Sequence, residues 1–311
     1  MRLPDHLQAL LQQGVKRREG GYRGRFAPSP TGPMHLGNLR TALVSWLDAR
    51  SQGGTWLLRI DDLDSPRNRA GATDSILENL QWLGLTWDGP PVFQGQRRGL
   101  YASVLSALRR DGFLYPCRCS RRLLADISAP HGRLNVYPGF CRELTPLWGP
   151  QNQRLPSWRL RLPATTLFWH ERVAAEGCMD GIHQVGDLVL RRADGLIAYH
   201  LATAVDELAL GISDVVRGAD LWSATGAQVA VMGVLGHAPP RYGHVPLWHD
   251  NQGQRLSKRE GSAGLSGLRA QGLDAPGVIG LLAASAGLVP EGSRLSSNEL
   301  LQEIDGSPIF G

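Results

Sequence analysis

A short proline-rich segment constrains the fold of this chain more than any other feature. Residues 28–33 read Pro-Ser-Pro-Thr-Gly-Pro. Three prolines fix φ and remove backbone donors, so the segment is neither a helix nor a central strand. It must be a rigid loop. The residues before it, 22–27, read as a strand that leads into this loop.

The residues after the loop predict a βαβ unit. Apolar residues recur over 39–47 at the spacing of one buried helical face, so we expect a helix from about Asn38. Residues 56–60 then read as a short apolar strand, which ends in the acidic group Asp61, Asp62 and Asp64. A strand, loop, helix and strand in this order predict a parallel sheet and an α/β fold class.

The rest of the chain gives a coarser pattern. We expect helices over 75–85 and 97–110, and strands over 155–200. Residues 187–191 and 196–201 read as the two strands of a β-hairpin around the Asp194-Gly195 turn. A further α/β piece follows from Asp214, and residues 264–311 look helical. Residues 1–20 contain a short amphipathic stretch and a basic run, and we expect a loosely attached tail there.

One motif suits phosphate binding. His35-Leu36-Gly37-Asn38 stands where the proline loop meets the start of the helix, and a helix N-terminus favours phosphate. Gly37 allows close approach to the backbone, and His35 can donate to a phosphate oxygen. A proline-rich turn with an incidental histidine is the alternative interpretation. A second motif, the cationic run Arg255–Arg259, can clamp a polyphosphate through Lys258, although basic surface loops are common.

These motifs occur in the order found in class I aminoacyl-tRNA synthetases, and the chain resembles their glutamyl and glutaminyl branch over about residues 22–290. His35–Asn38 resembles the first signature of that family, and Arg255–Arg259 resembles its mobile-loop signature. The further matches are residues 25–32, residues 59–64 with Arg67, residues 187–202 and residues 216–221.

The resemblance implies a Rossmann-type catalytic core that activates glutamate with ATP and Mg²⁺. It implies that His35, Gly37, Asn38 and Lys258 bind ATP, and that His35 and Lys258 stabilise charge while the α-phosphate is attacked. It places glutamate among Arg25, Ser29, Asp61, Tyr199 and Arg217. An acidic partner suits the α-ammonium, and an arginine fork from Arg25 or Arg217 suits the side-chain carboxylate. The family usually has Glu where this chain has Asp61, so the carboxylate of this chain reaches one methylene less far. A solvated acidic loop is the alternative for residues 61–64.

The cysteines suggest a structural metal. Cys117, Cys119 and Cys141 cluster in the sequence, whereas Cys178 stands apart and reads as a lone structural thiol. Structural Zn²⁺ takes four ligands, usually thiolate or imidazole, so one place stays open. His131 is the ordinary candidate. Glutamyl-queuosine enzymes pair a Tyr-x-x-x-Cys with a Cys-x-Cys, and this resemblance favours Tyr137. Three unligated core cysteines are the alternative.

The resemblance also orders the chain into segments. We expect a tail over 1–20, the first half of the Rossmann domain over 21–115, a zinc-binding insertion over 116–150, further insertion with glutamate-site strands over 151–213, the second Rossmann half over 214–250, and the signature loop with a helical region over 251–311.

The length of chain after Lys258 predicts which group accepts the activated glutamate. About 50 residues remain, too few for the anticodon-reading domain of glutamyl-tRNA synthetases. The chain therefore looks like the glutamyl-queuosine tRNA(Asp) synthetases, which transfer glutamate to queuosine in tRNA(Asp). A truncated glutamyl-tRNA synthetase and a non-catalytic tRNA-binding paralogue are the alternatives.

The charge and hydropathy of the chain agree with a tRNA partner. The net charge of +5 and the pI of about 9.3 suit a nucleic acid. The longest apolar stretch, 277–289, is shorter than the ~20 residues that cross a bilayer, and no secretory signal is visible. We expect a cytoplasmic monomer with no membrane partner.

Overall fold

The structure is a computed structural model that describes residues 2–120, 123–124, 136–173, 176–248, 264–304 and 309–310. The strands in this part of the chain are β1 (Arg23–Phe26), β2 (Thr55–Ile60), β3 (Val92–Phe93), β4 (Leu114–Cys117), β5 (Ser157–Leu160), β6 (Thr166–Trp169), β7 (Gly177–Asp180), β8 (Val189–Arg191), β9 (Asp214–Gly218) and β10 (Arg241–Val245). The helices are α1 (Asp5–Glu19), α2 (Leu36–Arg50), α3 (Ala72–Trp82), α4 (Arg98–Arg110), α5 (Tyr199–Ala209), α6 (Trp222–Val234), α7 (Leu265–Ala270), α8 (Ala275–Ser285) and α9 (Ser297–Glu303).

A parallel sheet lies at the centre, as the βαβ pattern predicts. β1 pairs with β2, β2 pairs with β3, and β9 pairs with β10, all in parallel. The two groups lie side by side because the backbone N–H of Ser213 donates to the carbonyl of Arg23 at 2.9 Å. The strand order is therefore β3-β2-β1-β9-β10, with β1 in the middle. The fold class predicted from the sequence is confirmed.

The strand–loop–helix unit forms where the prolines require it. β1 ends at Phe26, residues 27–35 have no regular structure, and α2 begins at Leu36, close to the expected start. The loop is held against the sheet because the N–H of Asp61, just after β2, donates to the carbonyl of Pro28 at 3.0 Å. The apolar face of α2 packs on the sheet, and Leu39, Leu43 and Leu47 in it are fully buried.

The expectation of a loosely attached tail over residues 1–20 is wrong. Residues 5–19 form α1, whose Leu7 and Leu11 belong to the core. The helix packs closely on α5: a Cβ added to Gly14 would lie 1.8 Å from the carbonyl oxygen of Leu208. Only glycine permits this contact between two helix backbones. The basic end of α1 also holds the helix against α5, since the Arg17 guanidinium donates to the Ala209 carbonyl at 3.2 Å.

The segment between α4 and α5 is strand-rich, as expected. β4, β5 and β8 form an antiparallel sheet, and β6 pairs with β7. The hairpin around Asp194-Gly195 is present but shorter than predicted. Arg191 bridges to Ile197, and the chain then enters α5 at Tyr199. Residues 199–201, expected in the second strand, instead start a helix, because the apolar spacing continues at helical period to Leu208.

The helices beyond residue 264 confirm the expected helical character of this region, and α8 is buried against α2 at Val278, Ile279 and Leu282. In the described part of the chain, no helix combines the length and apolarity that crossing a bilayer requires.

Candidate active site

A cavity of about 370 Å³ opens at the carboxyl ends of β1, β9 and β10. From β1 the sheet extends through β2 on one side and through β9 on the other. At such a point the connecting loops leave in opposite directions, and the crevice between them is the usual ligand site of an open α/β sheet. The fold itself therefore indicates where a ligand binds.

The described residues predicted for ATP and glutamate all line this cavity. They are Arg25, Ser29, His35, Gly37, Asn38, Asp61, Tyr199 and Arg217. They come from the end of β1, the proline loop, the start of α2, the end of β2, the first residue of α5 and β9. Their individual roles stay predictions, but tertiary structure brings these distant parts of the chain together.

The start of α2 forms part of the cavity wall. His35 is the N-cap, and its Nδ1 accepts a hydrogen bond from the backbone N–H of Asn38 at 3.2 Å. An accepting Nδ1 carries no proton, so the neutral ring carries its proton on Nε2. A Cβ on Gly37 would lie 3.1 Å from the imidazole, so the glycine lets the His35 ring lie over the first turn. Helix N–H groups and an imidazole N–H suit a phosphate here.

A largely buried ion cluster includes Arg25 and Asp61, which also line the cavity. It joins three cations with three anions: Arg25, Arg59 and Arg97 with Asp61, Asp206 and Glu207. The Nε of Arg25 lies 2.8 Å from Glu207, and Nη1 of Arg59 lies 3.3 Å from the same carboxylate oxygen. Side chains from β1, β2 and α5 thus meet with balanced charge, which is the condition under which buried charges are tolerated.

Asp61 takes part in this cluster through Arg59. Arg59 donates to both carboxylate oxygens of Asp61, at 2.6 and 3.2 Å. Burial raises the pKa of the Asp61 carboxyl to about 6, and the Arg59 guanidinium opposes that rise. The carboxylate is therefore fully charged only above that pH. Arg59 on the preceding strand holds Asp61, whose side chain is 6% exposed and which lines the cavity, so the interpretation as a solvated acidic loop does not fit it.

Arg217 has a different environment from Arg25. Its Nε donates to Nε2 of His244 at 3.2 Å, Nη1 to Gln228 at 2.8 Å and Nη2 to Thr225 at 2.7 Å. Burial lowers the pKa of His244, so these partners are neutral. Within the described residues no carboxylate forms an ion pair with Arg217, although the residue is buried, with 3% of its surface exposed. A buried cation with only neutral partners favours an anionic ligand.

A second, more open cavity of about 950 Å³ adjoins the first. The two share Ser29, Asp61 and Tyr199 in their walls. The far wall of the second cavity is formed by the cysteine-bearing region and the Asp194-Gly195 hairpin, including Arg154 and Arg192. A molecule in this second cavity would meet whatever occupies the first one at the side of Asp61 and Tyr199.

The three clustered cysteines come together in space. The sulfurs of Cys117, Cys119 and Cys141 all lie within 4.8 Å of one another, and the Cys119 and Cys141 sulfurs are 3.7 Å apart. Sulfurs bound to one tetrahedral Zn²⁺ at ~2.3 Å lie about 3.8 Å apart, so the cluster fits this ion. The Tyr137 hydroxyl lies 3.5 Å from Cys117 and 3.5 Å from Cys119. Of the two candidates for a fourth ligand, Tyr137 has its hydroxyl beside these sulfurs and His131 lies outside the described residues, so the choice stays a prediction.

Comparison with known proteins identifies the family. The family model described as the catalytic domain of class I tRNA synthetases (E and Q) matches residues 22–279. The glutamyl-Q tRNA(Asp) synthetase of Prochlorococcus marinus (strain MIT 9313) is 59% identical over 97% of this chain and 94% of that protein. The enzyme of the same name from Synechococcus sp. (strain CC9605) is 56% identical over 99% of this chain and 98% of that protein.

The chain belongs to the class I tRNA synthetases of the E and Q group.

Solved structures of this synthetase group agree in fold. A glutamate tRNA ligase from Elizabethkingia meningosepticum, in complex with its amino acid, superposes with a TM-score of 0.75 at 26% identity. A glutamate-tRNA synthetase from Elizabethkingia anophelis gives 0.76 at 26% identity. Each match covers 91% of this chain, and the chain spans 64% and 65% of the length of those two proteins.

Some residues of this synthetase site were missed by the sequence analysis. Asp206 and Glu207 lie seven and eight positions after Tyr199 on α5, and two acids in an otherwise apolar helical stretch were a usable signal. Glu171 and His244, which contact each other beside Arg217, gave no such signal because their sequence positions are far apart. The second signature, Arg255–Arg259 with Lys258, lies outside the described residues, and its role stays a prediction.

Proposed function

We propose that this chain activates glutamate with ATP and Mg²⁺ and transfers it to the queuosine base of tRNA(Asp) in the cytoplasm. The observation that carries the first step is the arrangement of one cavity. The helix start suited to phosphate lines the same cavity as Arg25 and Arg217. The names and near full-length identity of the relatives support the acceptor.

In the proposed reaction the substrate's own α-carboxylate is the nucleophile. Its oxygen forms a bond to the α-phosphorus of ATP while the bond from that phosphorus to the bridging oxygen breaks, and pyrophosphate leaves with the electron pair. A hydroxyl of queuosine then attacks the carbonyl carbon of glutamyl-adenylate, and AMP leaves. The chain supplies positioning and charge stabilisation, with His35 and Lys258 acting on the phosphates.

The contacts of the predicted residues indicate which group of glutamate each one is suited to bind. Arg217 is better suited than Arg25 to the side-chain carboxylate, because Glu207 already pairs with Arg25 whereas Arg217 has neutral partners. Three of the five N–H donors of Arg217 bond within the described residues, and one each on Nη1 and Nη2 is left to form a fork. Asp61 is suited to bind the α-ammonium of glutamate. Ser29 and Tyr199 line both cavities and form part of the wall between them.

The second cavity suits the acceptor. It opens onto the Asp61 and Tyr199 side of the first cavity, where the activated carbonyl would lie, and Arg67, Arg154 and Arg192 in its wall suit RNA phosphates. The expected monomeric state and the domain boundaries stay predictions.

Glutamate is expected to drive exchange of pyrophosphate into ATP without tRNA, and glutamine and aspartate are not. The physical reason is that a fork at Arg217 needs a carboxylate at the correct distance. The measurement is incorporation of labelled pyrophosphate with each amino acid in turn. Exchange that requires added tRNA would favour a truncated glutamyl-tRNA synthetase instead, and no exchange under either condition would favour a non-catalytic paralogue.

One zinc per chain is expected in protein purified without added metal. Cys117, Cys119 and Cys141 would hold it with Tyr137 as the fourth ligand, and the ion would tie the insertion together. Elemental analysis of Tyr137→Phe and His131→Ala gives the test: Tyr137→Phe should weaken binding and His131→Ala should not. The reverse pattern would make His131 the ligand, and a folded, active, metal-free protein would rule out a zinc site.

A further inference from the structure

Glu171 and His244 form a buried chain of hydrogen bonds that ends on Arg217. Nδ1 of His244 lies 2.7 Å from Oε2 of Glu171, and Nε2 of His244 lies 3.2 Å from Nε of Arg217. The three residues are 3–4% exposed. Arg217 and His244 face each other across the β9–β10 pairing, where they are register partners.

The carboxylate decides which nitrogen of His244 carries the proton. An ionised carboxylate only accepts, so Nδ1 of His244 must donate to Glu171. Nε2 is then a lone-pair acceptor and can receive the N–H of Arg217. The bond from His244 lowers the pKa of Glu171 against the opposing effect of burial, which keeps the carboxylate charged. The opposite tautomer would place two N–H donors against each other at the guanidinium.

Glu171 reaches this place from the insertion, not from the Rossmann core. It follows β6, and residues 170–172 run beside the edge strand β10: the N–H of Tyr242 donates to the His170 carbonyl at 2.9 Å, and the N–H of Arg172 donates to the Tyr242 carbonyl at 2.7 Å. Arg172 also binds both carboxylate oxygens of Asp48 on α2, at 2.5 and 2.7 Å. The position of Glu171 is therefore held from two sides.

Other partners of Arg217 complete its orientation. Thr225 accepts from Nη2 and its hydroxyl lies 3.3 Å from Nε2 of His244, so it can donate to the same lone pair. The ring of Tyr242 lies 5.0 Å below the guanidinium and stacks parallel to the His244 ring. These contacts fix the orientation of the guanidinium plane. The unused N–H groups of Nη1 and Nη2 remain free to bind a ligand.

The geometry points to His244, oriented by Glu171, as a positioning residue that sets the glutamate-binding orientation of Arg217. This inference rests on the proposed function, since it assigns the alignment of the fork that would hold the substrate's side-chain carboxylate. His244 itself does not line the cavity, so its effect on substrate must pass through Arg217.

The test separates glutamate binding from the rest of catalysis. His244→Leu removes the acceptor at Nε2, and the KM for glutamate in pyrophosphate exchange should rise about tenfold or more, the loss of one hydrogen bond to a charged group. The KM for ATP and kcat should change less than about threefold. His244→Gln, whose amide oxygen can reach the position of Nε2, should recover most of the glutamate KM.

Arg241→Gln is the matched control on the same strand. Arg241 binds Asp214 at 2.9 Å and does not line the first cavity, so the glutamate KM should stay at the wild-type value. Glu171→Gln is a second, isosteric probe in case His244→Leu does not fold. It removes the charge that fixes the His244 tautomer and should raise the glutamate KM several-fold.

The outcomes are distinct. A wild-type glutamate KM in His244→Leu, or in Glu171→Gln where His244→Leu does not fold, would overturn the inference. So would a parallel rise in both KM values with a fall in kcat, since that indicates a general packing role. Absence of glutamate-dependent exchange in the wild-type enzyme would instead count against the proposed function.

Discussion

tRNA(Asp) that lacks queuosine is expected to receive no glutamate from this enzyme, whereas tRNA(Asp) that carries it becomes labelled. An activated glutamate needs a nucleophile, and the hydroxyl-bearing ring of queuosine supplies one in a single-stranded loop, where proteins read RNA bases most specifically. The second cavity, about 950 Å³, adjoins the proposed glutamate site and has room for such a base. The measurement is transfer of labelled glutamate to tRNA from normal cells and from cells that cannot make queuosine.

The control for this experiment locates the label. Nuclease digestion separates the anticodon-loop fragment from the 3′-terminal fragment, and the label should be in the anticodon-loop fragment. Equal labelling of the two tRNA preparations, with the label at the 3′ end, would show that the base is not the acceptor and would favour the truncated glutamyl-tRNA synthetase.

Arg217→Leu is expected to lower kcat/KM for glutamate by roughly 10²- to 10³-fold, because it removes a buried fork that no protein carboxylate neutralises within the described residues. The KM for ATP should change little, since the helix start that faces the phosphates is made by other residues. Arg217→Lys keeps the charge without the fork and should recover only part of the loss. Steady-state pyrophosphate exchange with both substrates varied gives these values.

A matched control distinguishes the fork from a general loss of charge. Arg241→Gln removes a half-exposed cation at the opposite end of the same strand pair, where Arg241 binds Asp214 at 2.9 Å, and should leave glutamate kinetics unchanged. Thermal unfolding of each variant shows whether the unpaired Gln228 and Thr225 destabilise the fold. A folded Arg217→Leu variant with near-normal kcat/KM for glutamate would remove Arg217 from the binding site.

Local signals in the sequence predicted the elements that build the cavity. The prolines at 28–33 required a loop, and the apolar spacing over 39–47 required a helix after it; both are present. Such features follow from φ restrictions and side-chain periodicity within a few residues, which operate before any tertiary contact forms. In the cysteine cluster only the closeness of Cys117 and Cys119 is local in this sense, since Cys141 comes from 22 positions further along the chain.

The helix α1 at the N-terminus is an element that local signals in the sequence did not predict. The apolar spacing in residues 1–20 is weak, and the expectation of a loosely attached tail is wrong because contacts with other parts of the chain stabilise α1. Leu7 and Leu11 are buried in the main core, and Gly14 admits the backbone of α5 at contact distance. A weakly amphipathic segment becomes a helix when a partner surface buries one of its faces.

The sequence by itself determined the α/β class, the loop and helix that form part of the site, and the residue types that suit glutamate and ATP. Only the tertiary structure decided how their charges are distributed. It pairs Arg25 with Glu207, gives Arg217 neutral partners, and brings Glu171 from the insertion to orient His244. The reason is physical: helix and strand periodicities are properties of neighbouring residues, whereas the pairing of buried charges depends on which distant segments the packed core brings within hydrogen-bond distance.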